Sequence, residues 1–288
     1  MRTGSLSLPL VEDDDAQQPR PQVRSASFCA AEIMHGIKHN QFEPFFQPEV
    51  ELATGRVTGA RALARWRHAH EGWVLPDAYV KVLEDAGEID ALTWVVLRKS
   101  LAFCSVLNAT GTRSSIAVKL SLKSFDDVKF ADRVIDSVRN YGLDASNVCL
   151  ELTDAAATSH QGAALENLAR LRMNGFGLSI GDFGTGYSSM QQLMRIPFTE
   201  LKIDRSFVLN SVENEAIQVI LKSSLRLAKA LNMEAVAEGV ATRQHWDLLQ
   251  DLGCDLAQGN FIAKPMAAGA YLNWIDNLTA NPRSIFFT

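Results

Sequence analysis

Residues 199–240 read TELKIDRSFVLNSVENEAIQVILKSSLRLAKALNMEAVAEGV, and this stretch contains one strand–helix–strand unit. The short apolar runs TELKIDRSF (199–207) and EAVAEGV (234–240) predict strands, and the longer apolar periodicity over 213–231 predicts a helix. A strand, a helix and a second strand in this order are typical of a parallel sheet with helices packed outside it.

The same alternation continues in both directions along the chain. Further strands are predicted at 44–52, 57–66, 114–122, 147–153, 177–184 and 255–262, with helical patterns between most of them. About eight strands favour a closed (β/α)8 TIM-like barrel of the α/β class. An open doubly wound sheet is the alternative, but no Gly-x-Gly-x-x-Gly fingerprint follows the first strand.

The composition of the 288 residues sets further limits. Hydrophobic residues make up 47% and charged residues 21%, as in an average globular protein, and the net charge is −5. This acidic balance argues against direct DNA binding. Apolar stretches are too short to cross a bilayer, so we expect no membrane association and a cytoplasmic location. The four scattered cysteines are expected to be reduced core residues.

The ends of the chain differ in character from the rest. Residues 1–26 are polar and contain an acidic triplet, which predicts a disordered leader. Ser27 is a candidate N-cap for an amphipathic helix that opens the folded domain. We therefore predict one barrel domain over 27–278 and a C-terminal tail over 279–288.

Polar residues interrupt or close most of the predicted strands. In a barrel of this kind the carboxyl ends of the strands form one mouth, where functional side chains are found. Any one of these residues could be a capping or solvated residue, but so many of them favour a convergent polar pocket. The residues are Gln47, Arg61, Arg65, Lys119, Glu151, Asp182, Lys202 with Asp204, Glu238 and Gln258.

Several ordered motifs resemble those of the EAL domain family, over about residues 27–275. They are FQP (46–48), TGRVTGARALARW (54–66), KLS (119–121), ELTD (151–154), GDFGTGYSS (181–189), LKIDRSFV (201–208), AEGV (237–240) and GCDLAQGNFIAKP (253–265). The resemblance implies a (β/α)8 barrel. It also implies that active members of the family use two divalent metals in the barrel to hydrolyse the bacterial second messenger cyclic di-GMP.

The chain departs from the family at metal-binding positions. Arg61 replaces the Glu of the Glu-Ala-Leu signature, Lys119 replaces an Asn, Gly181 an Asp and Ala241 a Glu, whereas Glu151 is retained. The positions 61, 119, 151 and 181 therefore carry +1 in place of −3. Because magnesium and manganese need anionic oxygen ligands, we predict no metal, no cofactor and a degenerate phosphodiesterase that is not an enzyme.

Loss of catalysis would leave ligand binding open. The resemblance implies that Gln47, Leu63, Arg65, Asp182, Glu238 and Gln258 contact cyclic di-GMP. Arg61 and Lys119 add positive charge for its phosphates, and Glu151 and Lys202 complete the candidate pocket. Ion pairs such as Arg61 with Glu151 are the alternative role for these residues.

Degenerate EAL proteins that regulate gene expression suggest the main functional hypothesis. The chain is expected to be a catalytically inactive repressor of virulence-related genes, acting through cyclic di-GMP sensing or through binding of a protein regulator. A weakly active cyclic di-GMP phosphodiesterase is the alternative. Met194, Phe198 and Phe207 are candidates for a homodimer contact.

Overall fold

A closed barrel of eight strands forms the centre of the protein. The computed structural model describes residues 28–111, 114–152, 161–184 and 190–280. The barrel strands are β1 (Phe42–Glu51), β2 (Val57–His68), β4 (Ser115–Leu120), β5 (Val148–Leu152), β6 (Gly177–Phe183), β7 (Glu200–Ile203), β8 (Glu234–Glu238) and β9 (Leu256–Gln258). Pairing of β1 with both β2 and β9 closes the circle, and the short β3 (Gly72–Val74) pairs with β2 outside it. The predicted barrel is confirmed.

Among the described barrel strands, β1 alone departs from a parallel barrel. β1 runs antiparallel to β2 and to β9, whereas the other barrel pairs are parallel. A tight turn joins β1 to β2, with Gly55 at φ 74° donating its backbone N–H to the carbonyl of Glu51. So short a connection contains no crossover helix, and two strands joined in this way must be antiparallel. The prediction of a parallel sheet is therefore wrong at β1.

Helices surround the barrel. They are α1 (Ala30–Lys38), α2 (Val80–Ala86), α3 (Ile89–Ala109), α4 (Phe130–Asn140), α5 (Gln161–Met173), α6 (Met190–Arg195), α7 (Arg205–Leu209), α8 (Glu215–Ala230), α9 (Arg243–Asp251) and α10 (Ala268–Ala280). The predicted strand over 199–207 is too long, because Asp204 caps α7 by accepting the backbone N–H of Ser206. In the part of the chain described here, no helix is long and apolar enough to span a membrane.

The predicted leader, Ser27 and residues 281–288 of the predicted tail lie outside the residues that the structure describes, whereas α10 continues two residues past the predicted boundary at 278, to Ala280. The first described helix, α1, has Cys29 at its N-cap position, with no side-chain hydrogen bond to the helix. The predicted domain boundaries at 27 and 278 therefore stay predictions.

Aromatic side chains fill the space between barrel and helices. Phe46 of β1 stacks on Phe103 of α3 with ring centroids 3.8 Å apart, and both rings lie edge-on to Tyr271 of α10. These three rings are almost completely buried. Of the four free cysteines, Cys104, Cys149 and Cys254 are buried as predicted, whereas Cys29 is exposed. The barrel interior differs from this outer core, because it also contains buried charged side chains.

Candidate ligand-binding site

Six charged side chains from five strands meet inside the barrel. We call this set the interior ion cluster: Glu49 of β1, Arg61 of β2, Glu151 of β5, Glu200 and Lys202 of β7, and Glu238 of β8. All six residues are buried. Buried ions require partners, because each one loses its hydration. Their pairing therefore determines what the site can do.

Arg61 connects two carboxylates in this cluster. Its Nη2 donates a hydrogen bond to Oε1 of Glu151, and its Nη1 lies 3.0 Å from Oε2 of Glu238. Burial alone would lower the pKa of Arg61, but the charges of Glu151 and Glu238 outweigh it, so the pKa is raised. Arg61 is a permanent cation held at two points.

The two carboxylates respond differently to their surroundings. Burial raises the pKa of Glu151, but Arg61, Lys202 and Lys119 outweigh it and bring the pKa to about 2. For Glu238, burial prevails over the attraction of Arg61, and the pKa is raised. Oε1 of Glu238 is buried and has no hydrogen-bond partner among the described residues. Glu238 is thus the more basic of the two carboxylates.

Lys202 lies between the mouth and a deeper part of the barrel. Its side chain is fully buried, and its Nζ lies 2.6 Å from Oε1 of Glu49, 3.4 Å from Oε2 of Glu151 and 3.6 Å from Oε1 of Glu200. Burial lowers the pKa of Lys202, yet these three carboxylates together raise it well above its usual value. Lys202 therefore stays charged.

Glu49 and Glu200 are the members of the cluster that sequence reasoning missed. A signal was available in each case, since side chains two residues apart on a strand point to the same face. Glu49 follows Gln47 by two positions in β1, and Glu200 precedes Lys202 by two in β7. Both lie on the face that carries a predicted site residue.

Lys119 and Asp182 form a looser pair at the rim of the mouth. Lys119 Nζ lies 3.7 Å from Oδ2 of Asp182, and both side chains are more than a third exposed. An exposed pair at this distance contributes little to stability. Asp182 has a left-handed backbone with φ 53°. Beside it, a Cβ on Gly181 would lie 3.3 Å from Oε1 of Glu151, so the glycine leaves space next to that carboxylate.

Two predicted glutamines form a neutral edge of the site. Nε2 of Gln258 donates to Oε1 of Gln47 at 3.2 Å, and Nε2 of Gln47 donates to the carbonyl of Ala263 at 3.0 Å. Oε1 of Gln258 is buried and has no hydrogen-bond partner in the described part of the chain. The pair adjoins the cluster, since Gln47 lies opposite Arg61 in the β1–β2 register and Gln258 opposite Glu238 in β8–β9.

Leu63 and Arg65 lie beyond Arg61 on β2. No ion pair is recorded between Arg65 and the interior ion cluster. Arg65 Nη1 donates to the carbonyl of Ala64, and the guanidinium lies 5.9 Å from the ring centroid of Phe45. Burial lowers the pKa of Arg65. Because Leu63 and Arg65 follow Arg61 by two and four residues, all three side chains lie on the same face of the strand. They therefore extend the site toward the rim.

The resemblance to the EAL family implies a site for two divalent ions. Such ions require several anionic oxygens free to coordinate them. Here Glu151 is paired with Arg61 and Lys202, and Glu238 is paired with Arg61. Over the described residues, no group of three or more His, Cys, Asp or Glu side chains could hold a metal. In this arrangement the residues do not fit the metal pair, and no step below uses it.

Comparison with known proteins agrees with the fold and motifs. The EAL domain family matches residues 30–265, and the chain belongs to this family. Cyclic di-GMP phosphodiesterase RocR of Pseudomonas aeruginosa is 33% identical over 85% of this chain and 62% of its own length. Cyclic di-GMP phosphodiesterase PA2567 of the same organism is also 33% identical, over 81% of this chain and 40% of its own length. The chain thus spans less than two thirds of these relatives.

Solved structures are similar to the whole barrel. The EAL enzyme Bd1971, in a form with cAMP and cyclic di-GMP bound, gives a TM-score of 0.81 at 28% identity, over 85% of this chain and 67% of that one. The PaMucR phosphodiesterase in complex with cyclic di-GMP gives a TM-score of 0.78 at 32% identity, over 84% of this chain and 98% of that one. Both are similar to this chain over the barrel.

The relatives overturn one prediction. RocR, PA2567 and NbdA, which is 34% identical, are all named cyclic di-GMP phosphodiesterases and hence enzymes. The prediction that this chain is not an enzyme is therefore wrong. Its charge count was incomplete, because it considered four positions and omitted Glu49, Glu200, Lys202 and Glu238. The interior ion cluster holds four carboxyl groups against two cations, which is not the positive pocket that the count implied.

Proposed function

We propose that the protein is a cyclic di-GMP phosphodiesterase of slow turnover, with its site at the carboxyl mouth of the barrel. Membership of the EAL family and the named relatives support the substrate. The observation that carries the chemistry is the pair of Arg61 and Glu238. A permanent cation lies 3.0 Å from a carboxylate whose second oxygen is buried and has no hydrogen-bond partner among the described residues.

Hydrolysis of a phosphodiester needs a base for the attacking water and positive charge for the phosphoryl oxygens. Glu238 would accept the proton of the water, because burial raises its pKa and so makes it a better base. Arg61 would donate charge-assisted hydrogen bonds to the phosphate. Water then attacks phosphorus as its proton passes to Glu238, the bond from phosphorus to the ribose oxygen breaks, and that oxygen takes a proton from solvent, which gives the linear dinucleotide.

The same contacts explain why turnover would be slow. Arg61 must give up part of its pairing with Glu151 and Glu238 to reach a phosphate, and such buried pairs are costly to break. General base catalysis contributes on the order of 10²- to 10⁴-fold by itself. We expect activity well below that of an efficient phosphodiesterase.

Product formation tests this proposal directly. Purified protein is incubated with cyclic di-GMP, and the linear dinucleotide is followed by chromatography. Glu238→Gln should lower turnover by about 10²-fold or more while the ligand still binds. Glu166→Gln is the matched control, since Glu166 pairs with Arg170 on α5 and is exposed. Equal product from wild type and Glu238→Gln would contradict the proposal.

The finer regulatory predictions remain separate from this chemistry. Repression of virulence-related genes, a protein regulator as partner, a homodimer and a cytoplasmic location stay predictions. Net charge −5 favours an indirect effect on transcription over operator binding. A salt-sensitive, sequence-specific gel shift with the purified chain alone would contradict that view.

A further inference from the structure

The buried carboxyl group of Glu200 lies deeper in the barrel than the proposed site at the mouth. Glu200 begins β7 and precedes Lys202 by two residues, so the two side chains share the inner face of the strand. Oε1 of Glu200 lies 3.6 Å from Nζ of Lys202 and has no hydrogen-bond partner among the described residues. Of the three carboxylates around Lys202, Glu200 is the most distant.

The surroundings of Glu200 disfavour its charge. Burial raises its pKa to about 7, Glu49 and Glu151 add to this effect, and Lys202 and Ser179 oppose it only in part. The groups around Glu200 come from five strands: Lys202 of β7, Glu49 of β1, Cys149 and Glu151 of β5, Ser179 of β6, and the exposed Glu234 of β8, which lies opposite Glu200 in the strand register. Burial raises the pKa of the Cys149 thiol well above its usual value, so this group stays neutral.

Lys202 links this carboxyl group to the mouth. Its Nζ is 3.4 Å from Oε2 of Glu151, which in turn accepts a hydrogen bond from Arg61. While Glu200 is neutral, the charge of Lys202 compensates Glu49 and Glu151. Once Glu200 is ionised, it competes for Lys202, and Glu151 depends more on Arg61. The donors of Arg61 are then less available to a phosphate.

We propose that Glu200 determines the affinity of the mouth for its anionic ligand, because ionisation of this buried side chain adds a negative charge that acts through Lys202, Glu151 and Arg61. This inference rests on the proposed function, in which the mouth binds the two phosphates of cyclic di-GMP. A buried unit charge about 10 Å from a phosphate should weaken binding on the order of 3- to 15-fold.

Calorimetric titration with cyclic di-GMP at about pH 6 and about pH 8 tests the inference, since Glu200 titrates between these values. Wild type should bind about 3- to 15-fold more weakly at the higher pH. Glu200→Gln keeps the shape of the neutral side chain and should lose this difference. Glu49→Gln removes a charge that disfavours ionisation of Glu200, so the transition should move to lower pH.

Glu51→Gln is the matched control. Glu51 lies two residues from Glu49 on β1, and the hydrogen bond from Thr54 helps to lower its pKa, so it is ionised at both pH values. Its substitution removes the same charge and should leave the wild-type pH dependence intact. A pH dependence that Glu200→Gln retains, or wild-type affinity that is equal at both pH values, would overturn the inference.

The proposed function and this inference can fail separately. Absence of binding at both pH values would contradict the proposed function. The buried ionisation would then be tested without ligand, by urea unfolding of wild type and Glu200→Gln. Stability of wild type relative to the variant should fall as pH rises from about 5 to about 8, because the pKa of Glu200 is raised in the folded protein. A constant difference would overturn the inference on its own.

Discussion

Arg61 and Glu238 face each other across the barrel mouth, with Nη1 and Oε2 3.0 Å apart, although their strands are not neighbours in the sheet. β1 and β9 lie between β2 and β8 around the circle. The contact therefore depends on closure of the barrel, and it joins the first and last thirds of the chain. This pair also carries the proposed chemistry.

Removal of the Arg61 side chain should be strongly destabilising. Arg61→Ala leaves the carboxyl groups of Glu151 and Glu238 buried without their shared cation. The free energy of unfolding should fall by about 3 to 5 kcal/mol, measured by urea denaturation at neutral pH. Arg170→Ala breaks exposed pairs with Glu166 of α5 and Asp132 of α4, and should cost about 1 kcal/mol or less. Similar losses in the two variants would contradict the importance of the buried pair.

Glu151 should make the protein sensitive to acid. Its pKa is lowered to about 2 in the folded state, because Arg61, Lys202 and Lys119 outweigh burial. Its stabilising contribution is therefore present above its usual pKa near 4.5 and is lost as pH falls toward 2. Unfolding free energies measured between about pH 6 and about pH 3 should fall more steeply for wild type than for Glu151→Gln. Parallel profiles would show that Glu151 does not titrate in this way.

Arg65 is predicted to hold a phosphate at the rim. Truncation of a charged hydrogen bond to a ligand costs about 1.5 to 3 kcal/mol, so Arg65→Ala should weaken cyclic di-GMP binding by roughly 10- to 150-fold. Arg65 donates only to a backbone carbonyl among the contacts recorded for its guanidinium nitrogens, and fold stability should change little. Calorimetry measures the affinity, and unchanged binding would place the phosphates elsewhere.

The predicted homodimer contact through α6 can be tested at Met194. The side chain of Met194 is 86% exposed, whereas Phe198 is buried. Met194→Glu should leave the unfolding transition unchanged and convert any dimer to monomer in analytical ultracentrifugation. Phe198→Glu should instead unfold the protein, since it buries an unpaired charge. A Met194→Glu protein that sediments as wild type would exclude this contact.

The sequence alone was sufficient for the strands, because each depends on a local apolar run. The eight predicted strands correspond to the eight barrel strands, and the polar residues at their ends do include Arg61, Glu151, Lys202 and Glu238. The predicted end of β7 was less accurate. Apolar residues continue past Ile203, so the sequence predicted a longer strand, whereas Asp204 caps a helix there. The antiparallel direction of β1 follows from a turn too short for a helix.

The charge balance of the site was decided by tertiary structure. Counting residues at the family's metal positions gave a positive pocket, because a count by motif includes only the residues that the motif contains. Glu49 and Glu200 belong to no catalytic motif, yet alternation along their strands turns both toward Lys202. Which charges share one buried volume depends on the register of all eight strands and on closure of the circle. Burial then strengthens their interaction, so the pKa of Glu200 and the pairing of Arg61 follow from the folded barrel and not from local sequence.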